Sequence, residues 1–460
     1  MAIAKVVVNG VTRIDASQTT VTPDTLMKGV TALAADGTII EGNISTGVEP
    51  KAVNFWDYDG TCLYSYTRSE FLSRSALPSY PQHGGLTAQG WNWTLAEIQQ
   101  QLSDVPSGDV NVGQMYTTKS GATEIDINLD DSNYLSPYLF LAPNGTLSIN
   151  WGDGSSAETM TGSGINTRKS LSHTYPQTGA YTIKISPVNS ATYAIINSST
   201  AYASILQHGS DNTSSSNYPR VYSSCIRAIR VGNNCSLGSN AFAGLYNCKY
   251  ITMPSSLGLT ATNVTSLFYY CPSLKNIIIP RGLNSTSNSN MFYYDGGLVT
   301  VCLPVSWRAF YMYECHTLMT LTIPYGTTSL GSFGYDFCLR KLVLPSTVTS
   351  IGSHSNNYSL RSFNIPSGVT SLVSSQFSAC YSLTSLTIPS SVTSIGTSAF
   401  GSCYSMQEYH FRGTTPPTIT STNVFGSIQS TCKIYVPAAS LSTYQTADYW
   451  STYASYMVGE

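Results

Sequence analysis

Ten tyrosines recur beside a repeating pattern in the second half of the chain: Tyr269, Tyr270, Tyr293, Tyr294, Tyr311, Tyr313, Tyr335, Tyr358, Tyr381 and Tyr404. A tyrosine ring gives large, rigid, amphipathic contact area, and with Ser and Asn it makes the mixture found in binding loops. It stacks on sugar faces, and its hydroxyl donates a hydrogen bond. The same residues also serve as half-buried filler in a curved outer wall, so recognition and packing both stay open at this level. Other chemistry has less to work with. The six histidines are scattered, with no pair at zinc-ligand spacing and no Ser/His/Asp order. The 11 cysteines are odd in number and lack the close pairs of a metal site. Asp153-Gly154 could contribute to a calcium site, but a turn is the simpler reading. Sequons such as Asn43, Asn144 and Asn263 are expected by chance in a chain so rich in Ser and Thr.

Asp57-x-Asp59-Gly60-Thr61, following apolar Val53 and Phe55, resembles the first motif of haloacid-dehalogenase-type phosphatases. The resemblance implies attack on phosphorus by Asp57, with Asp59 as acid/base beside magnesium. The alternating βα units of that fold do not follow, and Asp130-Asp131 lies in a β-like context. Asp57–Gly60 between two β-rich runs reads as a hairpin turn. The expectation is a non-enzyme, with no catalytic residue, metal or cofactor assigned.

The elements that position the tyrosines announce themselves by period. Leu-x-x-Leu-x-Ile-Pro appears with modest drift at 274–280, 298–304, 318–324, 339–345, 360–366 and 383–389. Successive prolines lie 20 to 24 residues apart, the period of a leucine-rich solenoid. Alternation in Leu-x-Ile places both side chains on the inner face of a parallel strand. Proline has no N–H to donate, so it fits where the ladder ends. Thr-Ser-Ile-Gly, as at 349–352 and 393–396, then turns the chain toward the next unit. Cys271, Cys315 and Cys380 each lie nine residues before a repeat proline, and Cys403 lies nine before Arg412, which replaces the proline. Cysteine here reads as a small buried hydrophobe at an equivalent position. The unit Cys380–Phe400 closely resembles the BspA-like leucine-rich repeat. Residues 432–460, with Lys433-Ile-Tyr-Val-Pro437 and Tyr449-Trp450, resemble that family's terminal cap, which a solenoid needs to cover its last core layer.

Upstream, Ala4–Val8 reads as a strand, and Thr22-Pro23-Asp24 opens a helix carrying Leu26, Val30 and Leu33 on one face. Asp36-Gly37 ends that helix, and 38–44 is extended. The run from Val21 to Ile44 resembles a short module of bacteriophage tail and tail-fibre proteins, which implies a virion component. Thr67-x-x-Glu70 and Thr94-x-x-Glu97 are capping boxes of short helices, with an aromatic cluster Gly90-Trp-Asn-Trp93 between them. Leu147–Gly154, His173-Thr-Tyr175 and Gly179–Ile185 resemble a polycystic-kidney-disease-type (PKD) β-sandwich, with Trp151 available to the core. That resemblance implies a spacer or binding module.

The expected fold is therefore multidomain and mostly β. Residues 1–48 are a small α/β module for virion attachment and 49–118 a mixed α+β segment. Residues 119–188 are a PKD/Ig-like β-sandwich and 189–235 a transitional segment. A leucine-rich-repeat β-solenoid follows over 236–431, with a C-terminal cap over 432–460. Only 10% of residues are charged and the net charge is −2, which gives no clustered basic face for nucleic acid. The first residues do not read as a secretion signal, and no apolar stretch reaches the roughly 18 residues of a membrane span. The function expected by resemblance is a phage tail or tail-fibre protein, located in the virion and assembled in the host cytoplasm. Its N-terminal module would dock on other tail proteins, as a homo-oligomer, while the solenoid presents a surface to a host cell receptor or glycan. Nucleic acid and membrane insertion are not expected. A structural tail or capsid decoration protein and a bacterial BspA-like surface adhesin are the alternatives.

Overall fold

The computed structural model describes residues 3–8, 11–14, 31–34, 39–41, 49–197, 205–207, 224–260, 266–283, 292–293, 295–305, 312–313, 315–335 and 338–460. Two units separate: one holds Met1–Ala52 with Tyr66–Phe71, and the other holds Val53–Ser65 with Leu72–Glu460. In the first, strands Val11–Ile14, Ile3–Val8, Thr31–Ala34 and Ile39–Glu41 lie side by side in that order, all antiparallel. The expected strand at Ala4–Val8 is there. The helix expected from Thr22 lies mostly outside the described residues, but Leu33 sits on a strand. Asp36-Gly37 is as good a hairpin signal as a helix stop, and cross-strand pairing with Ile39 and Lys5 overrides the helical spacing. Thr67 and Glu70 form the expected capping box, each accepting the other's backbone N–H at 2.7 and 3.1 Å.

In the second unit the chain is mostly β, built around a β-solenoid of leucine-rich repeats. Strands such as Asn276–Ile278 and Thr300–Cys302 stack in parallel, as do Thr320–Thr322, Lys341–Val343 and Ser362–Phe363. A second wall stacks Ser371–Leu372, Ser394–Ile395 and Thr418–Ile419. Gly396 shows why the turn between walls ends in glycine. A Cβ there would overlap the backbone of Val373 and Ser374 in the preceding turn.

A phenylalanine spine fills the interior. Phe242, Phe268 and Phe292 stack at 5.5 and 5.6 Å between ring centroids, and Phe377, Phe400 and Phe425 at 6.1 and 5.4 Å. Met312, Phe333 and His354 occupy the same position between them and are all buried. The cysteines are buried as expected, and they also bond. Each thiol donates to the carbonyl of the spine residue one turn back: Cys271 to Phe242 at 3.0 Å, Cys315 to Phe292 at 3.0 Å, Cys380 to His354 at 3.2 Å and Cys403 to Phe377 at 3.1 Å. Asn357 fills the same rung with its amide on the Phe333 carbonyl at 2.8 Å. Burial pushes the Cys403 thiol up to about 12, so it keeps the proton it donates. Cys403→Ala is expected to cost about 1 kcal/mol, because it removes the thiol bond while the Phe377 carbonyl keeps only the Cys380 N–H. Urea unfolding of the two proteins would measure this, and no change would mean that the thiol bond carries nothing.

Both ends of the stack are closed. At the C-terminal side, strands Lys433–Val436 and Met457–Gly459 extend the last sheet. Trp450 packs edge-on against Phe411 at 5.1 Å and donates its indole N–H to Pro417. At the other end, the strands expected for the sandwich form and Trp151 is fully buried, but their sheet does not stop at residue 188. Strand Thr123–Leu129 pairs antiparallel with Ile226–Arg230, which pairs in parallel with Tyr250–Thr252 of the solenoid. Strand Thr192–Ile195, which pairs with Tyr138–Asn150, runs parallel to Cys235–Leu237, and that strand to Gly258–Leu259. The stretch expected as transitional thus supplies the seam strands, and one apolar core runs from Ile125 to Met457. An open first layer would expose its interior, so a sheet fused to both walls serves as the cap. Among the described residues no helix is long and apolar enough to cross a membrane.

Candidate recognition surface

The solenoid's outer strand face is partly covered, and the prolines explain how. In a parallel ladder, the residue at the proline position would donate its N–H to the carbonyl one turn back. Arg412, which stands where a proline is expected, does so: its N–H meets the Ile388 carbonyl at 3.0 Å. Where proline occupies the position that donor is missing, and side chains of the 72–118 segment fill in. Asn92 donates to the Ile279 carbonyl at 3.1 Å, and also to the Cys302 carbonyl at 3.0 Å, which the Ile279 N–H already serves, while its own carbonyl accepts the Gly113 N–H. The Trp93 indole donates to Leu303 at 2.6 Å, and Gln101 to Ile323 at 3.2 Å. Gly113 lies so close to Ile278 that a Cβ there would overlap it. Glu97, held by its capping box with Thr94, grips Arg281 with both oxygens at 2.6 and 2.8 Å. These contacts run along the face as far as Lys341, which reaches the Ser107 carbonyl.

Beyond that point the repeats are open, and three of the ten tyrosines come together there. Tyr358 and Tyr381 stack at 4.7 Å with their planes 3° apart, and Tyr381 and Tyr404 at 5.5 Å and 25°. Each directly follows the rung residue of its repeat, Asn357, Cys380 or Cys403, so the register of the solenoid aligns them. Tyr381 is 39% exposed and Tyr404 53%. Tyr358 is half-buried, as are Tyr269, Tyr270 and Tyr335, with Tyr270 leaning on Tyr246 and Tyr269. Tyr293 and Tyr313 lie on short strands, their side chains outside the described residues, as are Tyr294 and Tyr311. Packing and display are thus both present, divided along the solenoid.

The other candidate constellations are internally satisfied. Asp57 sits in a hairpin turn, its N–H on the Thr61 carbonyl, and its buried carboxylate meets His83 Nε2 at 2.7 Å beneath Tyr58 and Tyr116. Asp59 accepts the Thr61 N–H. Asp153 accepts from Ser155 at 2.6 Å and pairs with His173 at 2.8 Å, and His173 stacks on Trp151. Burial works to raise the Asp153 carboxyl, but these bonds outweigh it and hold it at about 2. No cluster of three or more metal-ligating side chains forms among the described residues. A cleft of about 1030 Å3 on the capping sheet is floored by Arg230, clamped on Asp126 at 2.6 Å and Glu124 at 3.1 Å.

Residues 218–313 and 305–431 match the BspA type leucine rich repeat region, in six copies, so the repeats are of that type. No curated protein matches the sequence. Among solved structures, a leucine rich repeat protein of T. pallidum is 26% identical over 32% of this chain and 73% of its own length, at a TM-score of 0.29. A leucine-rich repeat protein from Bacteroides ovatus is 18% identical over 46% of this chain and 61% of its own, at 0.34. The pneumococcal vaccine antigen PcpA is 16% identical over 49% and 64%, at 0.33. The chain thus spans less than two thirds of the latter two.

Proposed function

We propose that this chain is a non-enzymatic, adhesin-like recognition protein, and that its place is a bacteriophage tail. There residues 1–48 dock on neighbouring tail proteins, and the solenoid meets a receptor or glycan on the host cell. The observation that carries the recognition reading is the stacked column Tyr358–Tyr381–Tyr404, with Tyr381 and Tyr404 exposed, on the open half of the repeats. Stacked rings present a flat apolar face with a hydroxyl edge, which suits sugar rings and amide groups. The tail placement rests on the likeness of Val21–Ile44 to tail modules, and the PKD-like strands serve there as spacer and cap. A bacterial surface adhesin is the second reading, favoured by the BspA type of the repeats.

The test is binding of labelled full-length protein to a panel of bacteria. The double variant Tyr381→Ala/Tyr404→Ala should bind about tenfold more weakly or worse, the effect of losing aromatic anchors, with an unchanged melting temperature. Binding to no cell, or equal binding by the variant, would sink the tyrosine column as the contact. Electron microscopy of virions distinguishes the placements. Repeats buried between tail subunits would leave a decoration role, and a processed, secreted product would point to the adhesin.

A further inference from the structure

Charge is unevenly spread along this chain. Between residues 224 and 407 there are nine Lys and Arg against three Asp and Glu, a formal +6 in a chain whose total is −2. Five of the nine share one register position. Lys249, Lys275, Arg340 and Arg361 each directly follow the first anchor residue of their repeat (Cys248, Leu274, Leu339, Leu360), and Arg227 pairs in register with Lys249. The backbone confirms the column. The N–H of Lys249 meets the Arg227 carbonyl at 2.8 Å, Val299 meets Lys275 at 2.8 Å, Arg340 meets Met319 at 2.8 Å and Arg361 meets Arg340 at 3.1 Å. The two middle rungs hold Val299 and Met319, which are 54% and 51% exposed.

Seven rungs at about 4.8 Å make a stripe about 30 Å long, cationic at both ends and apolar between. Its first three cations line an open cleft of about 790 Å3 together with Asn247, Tyr250, Ser273 and a single carboxylate, Asp59. Among the described residues Arg230 pairs with Asp126, Arg281 with Glu97, and His410 and Arg412 with Glu460, while Lys341 meets the Ser107 carbonyl. In the column, Arg227 donates to the Ser224 carbonyl and lies 4.0 Å from the exposed carboxylate of Asp130. Among the described residues no carboxylate pairs with the other four. Like charges opposite one another on neighbouring strands destabilise a sheet, and the rest of the chain is acidic, with 13 Lys and Arg against 21 Asp and Glu.

We propose that this stripe binds an acidic polysaccharide laid along the solenoid axis. Its carboxylate or sulfate groups sit on Arg227, Lys249 and Lys275 and again on Arg340 and Arg361. The apolar faces of intervening sugars rest on Val299 and Met319, and Asn247 and Ser273 meet their hydroxyls. This names the ligand class of the recognition reading and rests on it. A nucleic acid fits less well, because its phosphates demand an unbroken path of cations and two apolar rungs interrupt this one.

The experiment titrates the full-length protein with polygalacturonate, dextran sulfate, unmodified dextran and a single-stranded oligonucleotide, at low and high salt. Either or both acidic polysaccharides should bind and weaken with salt, and which of them does so tells carboxylate from sulfate. Dextran should not bind. Lys249→Ala/Lys275→Ala should bind about tenfold more weakly, two exposed charge contacts' worth, with unchanged melting. Lys169→Ala, an exposed lysine off the stripe, should bind like the wild type. Equal binding of dextran, full binding by the double variant, or tighter binding of the oligonucleotide overturns the proposal. The same variants on cells keep the two readings apart. Cell binding that survives the double variant while acidic polysaccharides fail removes the stripe but leaves the recognition reading. Polysaccharide binding without any cell binding does the reverse.

Discussion

Trp93→Ala should destabilise the protein by about 3–5 kcal/mol, the cost of removing a large side chain from a closed site. Trp93 is 3% exposed and its indole N–H is the donor to the Leu303 carbonyl. That carbonyl cannot be served by the ladder, because the residue that would do so is Pro324. The substitution therefore opens a cavity and strands a backbone acceptor at once. Trp93→Phe separates the two effects. It keeps most of the volume and loses the donor, so about 1–3 kcal/mol is expected from the unpaired carbonyl. Urea unfolding gives both figures, and limited proteolysis shows where they act. In the alanine variant, cleavage within 72–118 should precede cleavage of the repeats. Stability unchanged in both variants would mean that the segment is not held by the proline-orphaned carbonyls. Because the covered stretch ends near Lys341, loosening it should also enlarge the open face of the solenoid, a change that the cell-binding assay would register.

The repeats were legible because each states the same physical requirement anew. Leu-x-Ile fills the inner face, proline ends the strand, and glycine is needed where Gly396 passes the backbone of the turn before it. Burial of the cysteines followed from their fixed distance to the proline. Their hydrogen bonds to the spine did not, since a thiol reads as apolar until the carbonyl beside it is seen. Among the described tyrosines three form the stacked column, two of them exposed, and what separates them is register. Tyr358, Tyr381 and Tyr404 follow the rung residue directly, whereas Tyr269 and Tyr270 precede Cys271. Aligning the repeats on their leucines would have shown that column, and the cations after the leucines as well. The docking of 72–118 had no local signal. Asn92, Trp93 and Gln101 look like ordinary polar and aromatic residues until carbonyls about two hundred positions away lack donors. The seam strands at 192–195 and 226–230 were hidden for the same reason, because pairing partners are set by the whole fold. Leu33 shows the converse, a helical spacing outweighed by strands on both sides.

His354→Phe should stabilise the protein, and more so as the pH falls. His354 stands in the phenylalanine spine, fully buried among Phe333, Phe363 and Phe377. Neither ring nitrogen has a hydrogen-bond partner. Burial holds the imidazole neutral, lowering its pKa from 6.5 to about 3. A base with a depressed folded pKa gives its full stability above the unfolded pKa. Below that value the unfolded chain takes up a proton that the folded one refuses, and stability is lost down to the folded pKa. The loss is about 2 kcal/mol by pH 5 and about 5 kcal/mol across the whole window. Phenylalanine, which the spine uses in most other turns, removes the titration and also the two unpaired nitrogens. The variant should therefore be more stable by about 1–3 kcal/mol even at neutral pH. Asp295, in the cysteine rung, acts in the opposite sense. Its buried carboxyl is raised well above the usual carboxylate range, with one oxygen on the Cys271 N–H and the other unpaired. Its contribution is therefore lost as pH rises rather than as it falls. The total pH profile mixes such groups, but the difference between variant and wild type contains His354 alone. Unfolding midpoints at about pH 7.5 and 5 give that difference, and a gap that does not widen toward acid would show that the imidazole is protonated in the folded solenoid.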